Sequence, residues 1–205
     1  MQTYHSTTLI DSLQEQTEGF LKKAVSEWQM AAPAVLLRQP GENKWSAAQC
    51  IEHLNSYGHY YLPAIENAIK NAQQNNWTAM EKFSPGRLGD YFTRLMMPET
   101  EGRKMKKMSA PKNHSPMVDL DSDKVVREFI DQQEKMLALL EQAREIDIQK
   151  AKVPISIAKF IRLRLGDVFR FLIAHNYRHI VQAERAAAGL KTEAAVAMGE
   201  DRISS

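Results

Sequence analysis

Residues 165–189 constrain this chain more than any other stretch. Val168, Phe169, Leu172, Ile173, Ile180 and Ala183 recur there at the spacing of one helical face. His175 and His179 extend the line of Val168 and Leu172. Lying four residues apart, they sit one turn apart on the same face, so both point into the core. A polar side chain taken out of water needs a partner. Two imidazoles one turn apart share a natural partner in a metal ion. Histidines satisfied by hydrogen bonds within the core are the other reading, and spacing alone leaves both open.

The remainder of the chain sets the context for a third ligand. Its 205 residues suffice for one good-sized domain, placed at 1–190, with 191–205 as a small polar tail expected to fray. A hydrophobic content of 43% and a charged content of 25% fit a soluble globular protein rather than a disordered one. The net charge of +2 is too small to argue for a nucleic-acid or membrane partner. Cys50 is the one cysteine, which excludes an intrachain disulfide and a cysteine-based zinc site. No basic start followed by an apolar run opens the sequence, and no apolar run reaches the roughly 18 residues of a membrane span. The expected compartment is the cytoplasm. The sequons at Asn76 and Asn113 carry little weight in that setting.

Four long helices are expected. The first covers residues 7 to about 31, with Leu13, Thr17, Phe20, Leu21, Ala24 and Trp28 on one face, and Pro33 stops it. The second begins at a capping box, Ser46 with Gln49 three residues on, flanked by Trp45 and Cys50 as a hydrophobic staple. It runs to about residue 75, is expected to kink at Pro63, and buries Cys50, Leu54, Tyr57, Tyr61, Ile65 and Ala68, with His53 bordering that stripe. Asp121 caps the third, which extends to about 144. The fourth is the opening stretch, closed by Gly189. No strand-like alternation of any length is visible. The pattern is all-α, a four-helix bundle with a long irregular connection between helices two and three. That connection holds a short helix at 88–97 and a basic stretch at 101–112, read as a solvated loop rather than a nucleic-acid patch.

Ligands from separate helices converge in a bundle core. His53, His175 and His179 are the candidates. His59 lies six residues beyond His53, about 600° around a helix, and faces away. His114 falls in the connection and His5 at the N-terminus. Three histidines with an open fourth position is a pattern of catalytic zinc sites, although imidazole suits zinc, nickel, copper or iron alike. Periodicity does not establish that the second and fourth helices adjoin with these faces opposed.

Trp45-Ser46-Ala47-Ala48-Gln49-Cys50-Ile51-Glu52-His53-Leu54 resembles the second-helix signature of the DinB/YfiT-like superfamily, W-S-x-x-[EQ]-x-x-x-H-L. Leu165-Gly166-Asp167 leading to His175, His179 and Gln182 resembles the same family's L-G-D run into H-x-x-x-H-x-x-Q. Lys107-Met108-Ser109-Ala110-Pro111-Lys112 is similar to its K-x-x-x-P-K segment. The matches span residues 45 to 182 in the family's order. The resemblance implies an up-down-down-up four-helix bundle, commonly homodimeric, holding a divalent metal (Zn, Ni, Fe or Mn) on His53, His175 and His179. It also implies a small-molecule substrate. Characterised relatives transfer a low-molecular-weight thiol to an electrophile or isomerise thiol adducts; a metal-dependent hydrolase or a non-catalytic, stress-response metal binder is the alternative. One position departs from the pattern: Arg164 stands where a Ser or Thr usually caps the fourth helix, with Asp167 in the first turn expected to compensate in part.

Two further residues join the expected site. Gln182, one turn past His179, is placed to orient a ligand histidine or a bound water. Tyr57, one turn past His53, is placed to line the pocket. Glu52 is read as solvent-facing, and Cys50 as a small buried apolar residue rather than a nucleophile. No general base stands out. The basic stretch 103–112 is a conceivable anion-binding surface for a thiol cosubstrate.

Overall fold

The computed structural model of the chain describes residues 2–97 and 109–200, with 159 and 189–200 as backbone alone. It is mostly helical, at 66% helix. Four long helices carry the core: α1 (Ser6–Lys23), α3 (Ala47–Gln74), α5 (Ser122–Ala143) and α6 (Leu165–Glu200). Two shorter ones, α2 (Pro33–Leu37) and α4 (Arg87–Met96), pack at the periphery. Both α1 and α3 pack against α5 and α6, so the four close a ring around one apolar interior. Phe129, Leu139 and Leu140 of α5, Ile65 and Ile69 of α3, and Phe169 of α6 are among its buried side chains. Among the described residues, no helix is long and apolar enough to cross a membrane.

α1 buries Leu13, Thr17 and Phe20 of the expected face together with Leu9 and Ile10 ahead of it, while Leu21 is half-buried. Its continuation differs from expectation. Residues Ala24–Trp28 form a π-helical turn in which Gln29 N–H donates to the Ala24 carbonyl at 2.9 Å. The wider turn accompanies a buried Trp28, whose ring lies 6.1 Å from Phe129 of α5. Pro33 does more than stop this helix. It opens α2, at the position where its missing N–H is harmless.

The capping box of α3 is present in full. Gln49 N–H donates to Ser46 Oγ at 3.1 Å, and Ser46 N–H donates to Gln49 Oε1 at 3.0 Å. The Gln49 amide also donates to the Met117 carbonyl at 3.3 Å, which ties the cap to the connection between α3 and α5. α3 runs through Pro63, which is exposed. At Gly58 a Cβ would stand 1.8 Å from Gln132 Oε1, so a larger residue there would displace the Gln132 amide that donates to the Asn55 carbonyl. Asp121 caps α5 through its side chain, accepting from Asp123 and Lys124 N–H groups.

The mostly helical structure fits the all-α expectation, and two small sheets stand beside the helices where no strand was expected. β1 (Tyr4–His5) pairs antiparallel with β2 (Lys82–Phe83). β3 (Lys152–Ile155) and β4 (Ala158–Arg164) form an antiparallel hairpin in the stretch read as a plain connection, with an irregularity after Pro154. The start of α6 is also held differently from expectation. Leu165 N–H donates to the Ala151 carbonyl at 2.9 Å and Gly166 N–H to the Ile148 carbonyl at 3.0 Å, so backbone carbonyls satisfy the first two donors of the helix without a Ser or Thr cap. Asp167 turns away to accept from Gly86 N–H at 2.8 Å, fixing the N-terminus of α4 on α6. Nor does Gly189 close the helix, which continues through residues 191–200. One interior glycine costs about 1 kcal/mol relative to alanine, and the residues around it are rich in alanine, the strongest helix former. Residues 201–205 of the expected tail lie outside the described residues.

Candidate metal centre

α3 and α6 adjoin with their histidines facing. His53 comes from the second turn of α3, and His175 and His179 from successive turns of α6. They are 2%, 2% and 9% exposed. One donor atom from each lies within 4.8 Å of the other two, and His53 Nε2 stands 3.2 Å from His175 Nε2. Nitrogens bound tetrahedrally at about 2.0–2.1 Å from one ion are separated by roughly 3.3 Å. The spacing therefore suits a single small cation.

Hydrogen bonds orient two of the three rings. His53 Nδ1 lies 2.6 Å from the His114 carbonyl, which can only accept, so this nitrogen carries the proton and Nε2 presents its lone pair to the cluster. His179 Nδ1 likewise donates to Gln182 Oε1 at 3.0 Å. This is the arrangement of histidine ligands, in which the remote nitrogen is held by an acceptor. His175 Nδ1 is buried without a hydrogen-bond partner among the described residues. Its Nε2, 3.2 Å from His53 Nε2, is the nitrogen that faces the cluster.

All three rings are neutral at pH 7. Burial pushes the His53 pKa down to about 4 and, with further lowering from the neighbouring His53 and Arg178, that of His179 to about 3. Burial likewise drives His175 well below its ordinary value, reinforced by His179, His53 and Arg178. Neutral imidazole is the ligating form. Aromatic rings wall the cluster. Trp45 packs 5.0 Å from His53 and 5.8 Å from His179, and Phe171 stacks on His175 at 5.9 Å. Three uncharged nitrogen donors in an apolar shell fit a divalent ion of borderline softness.

The other expected site residues divide. Gln182 contacts His179 as described. Tyr57 packs 4.4 Å from His175 and 5.1 Å from His53, and burial raises its phenol to about 12, so it keeps its proton. Cys50 is buried, its thiol raised to about 12 by burial, and is no nucleophile. Glu52 is half-buried rather than solvent-facing, and its pKa is raised first by burial and then by Glu128. His59 is exposed and pairs with Glu128, and His5 pairs with Glu81, both outside the cluster. Of the basic stretch, residues 101–108 lie outside the described residues.

Sequence reasoning missed His114. It sat in the connection without any period to mark it, yet it is buried against the site, with its ring stacked 4.0 Å from Tyr57 and its carbonyl on His53. Its only signal was its position two residues past the Pro111-Lys112 match.

The fold and the cluster define a helical protein with three buried histidines able to hold a metal ion. The DinB superfamily profile matches residues 14–183, and the chain belongs to that superfamily. Neither the curated proteins nor the solved structures searched gave a match.

Proposed function

We propose that this protein is a divalent-metal-dependent enzyme that transfers a low-molecular-weight thiol to an electrophilic small molecule. The observation that carries the reading is the convergence of three neutral, buried imidazoles in a DinB superfamily chain. His53, His175 and His179 would hold the ion, and the reading takes the four long helices as an up-down-down-up bundle around it. A divalent ion there supplies Lewis acidity, which lowers the pKa of a thiol or a water toward neutrality. The His114 carbonyl and Gln182 keep protons on the outer nitrogens of His53 and His179, so the inner nitrogens stay available. Trp45 and Phe171 exclude water from the rings, and Tyr57 lines the pocket as a protonated phenol.

The test has two stages. Metal analysis of the purified protein should find close to one divalent ion per chain, and His175→Ala should lose it. Stoichiometric metal retained in that variant would overturn the site. Protein loaded in turn with zinc, nickel, iron and manganese is then screened with cysteine, glutathione and other small thiols against monochlorobimane. Thiol-dependent turnover supports the transferase reading. Ester hydrolysis without thiol would replace it with a hydrolase, and inactivity under every loading would leave a non-catalytic metal binder.

A further inference from the structure

His114 ends a 3₁₀ turn, Lys112–His114, that lies over the first turns of α3. Both of its ring nitrogens and its carbonyl have partners, and those partners dictate where each proton sits. Ser56 Oγ lies 2.8 Å from the His53 carbonyl, so its one hydrogen is committed there. It therefore meets His114 Nδ1, 3.0 Å away, as an acceptor, and Nδ1 carries the ring proton. In the neutral ring this leaves Nε2 to accept from Ser156 Oγ at 3.0 Å. Ser156 sits in the β3–β4 turn and is itself anchored, its N–H donating to the Tyr61 hydroxyl at 3.1 Å. The bond from His53 Nδ1 to the His114 carbonyl completes a circuit. Each histidine ring is held through the other's carbonyl, one directly and one through Ser56.

We propose that His114 is a positioning residue of the three-histidine centre: its ring, braced by Ser56 and Ser156, keeps its own carbonyl on His53 Nδ1 and so aims the Nε2 lone pair of His53 into the cluster. The proposal rests on the metal-binding reading above. The brace also ties the hairpin turn to the centre, although the hairpin supplies no ligand. A side chain that only packed would contribute stability and nothing to the donor orientation. His114→Ala leaves a carbonyl at position 114 but removes what holds it in place, which separates the two roles.

Two measurements on the full chain test this. Long-range ¹H–¹⁵N NMR of the metal-free protein reads the His53 tautomer. We expect the proton on Nδ1 in the unaltered protein and a mixture of tautomers in His114→Ala. A proton on Nε2 in the unaltered protein overturns the proposal whether or not metal binds. Cobalt(II) titration, followed by its visible bands, should show affinity falling by about 10- to 100-fold in His114→Ala, with altered bands. His114→Asn, which returns a donor for Ser56, should recover most of that affinity. Ser156→Ala should weaken binding in the unaltered background and add nothing in His114→Ala. Cobalt affinity and bands unchanged in a folded His114→Ala overturn the proposal. If that variant does not fold, Ser56→Ala and Ser156→Ala decide, and unchanged affinity in both is fatal. Failure of the unaltered protein to take up cobalt counts against the metal reading instead, and the NMR result then decides the positioning role by itself.

Discussion

α6 carries two buried polar clusters built on opposite terms. In its first turns, Arg170 donates to the Tyr4 hydroxyl at 3.1 Å and to Asp90 at 3.2 Å, and lies 3.6 Å from Asp167. Asp167 in turn accepts from Gly86 N–H at 2.8 Å. Cation and carboxylates meet there, and the chain supplies both signs. About a turn and a half further on, His175 and His179 join His53 with no carboxylate in the group. That cluster offers lone pairs and holds no charge of its own. The first cluster balances its charges when the chain folds, although one oxygen of Asp167 and one nitrogen of Arg170 have no hydrogen-bond partner among the described residues. The second could take a cation from outside. What separates them is charge: one cluster carries its own counter-ions, the other only lone pairs.

Acid should separate the two clusters most strongly. The histidines have folded pKa values of about 4 for His53 and about 3 for His179, against about 6.5 when unfolded. Below pH 6.5 the unfolded chain binds protons that the folded chain refuses. Metal-free protein should thus lose stability as pH falls from 6.5 toward 4, by about 1.4 kcal/mol per pH unit for each imidazole. Asp167 works in the opposite sense, because burial raises its carboxyl pKa and acid relieves that ionisation penalty. Urea unfolding of metal-free protein at pH 8, 6.5 and 5 measures this, and equal stability at 6.5 and 5 would remove the histidines as its acid-sensitive element. Next in size is Arg170→Ala. Breaking a buried ion pair should cost roughly 3–5 kcal/mol in thermal or urea unfolding, while the metal content of the folded protein stays as it was. Loss of metal from folded Arg170→Ala would show that the clusters are coupled along α6. Gln182→Ala has the smallest expected effect. Metal affinity should fall by about 10- to 100-fold, with the metal-free stability unchanged within about 0.5 kcal/mol. Equal affinity by competitive chelator titration would deny Gln182 any part in holding His179.

What was legible in the sequence obeyed local rules. The capping box at Ser46 and Gln49, the Asp121 cap and the pair His175 and His179 each announce themselves within four residues, because hydrogen bonds and helical faces repeat on that scale. The placement of His53 opposite that pair came only from family resemblance, since no period reports which helices adjoin. The β3–β4 hairpin was legible only in part. Pro154 discourages a strand reading and Phe160 is an exposed apolar residue, while Ile161, Arg162, Leu163 and Arg164 alternate apolar with basic along β4. His114 was hidden further still. It acts from 61 residues away through a main-chain carbonyl, and a carbonyl leaves no mark in the identity of the residue that bears it.

Gln49 gives the cap of α3 a second meaning. Its Oε1 closes the capping box and also accepts from the Gln39 amide at 3.1 Å, while its amide nitrogen holds Met117, three residues beyond His114. Helix initiation and loop closure thus share one side chain. Any fluctuation that frays the first turn of α3 releases the loop from Gln49, and with it one restraint on the carbonyl over His53. The end of this helix and the segment crossing it form one cooperative unit, although more than sixty residues of chain separate them.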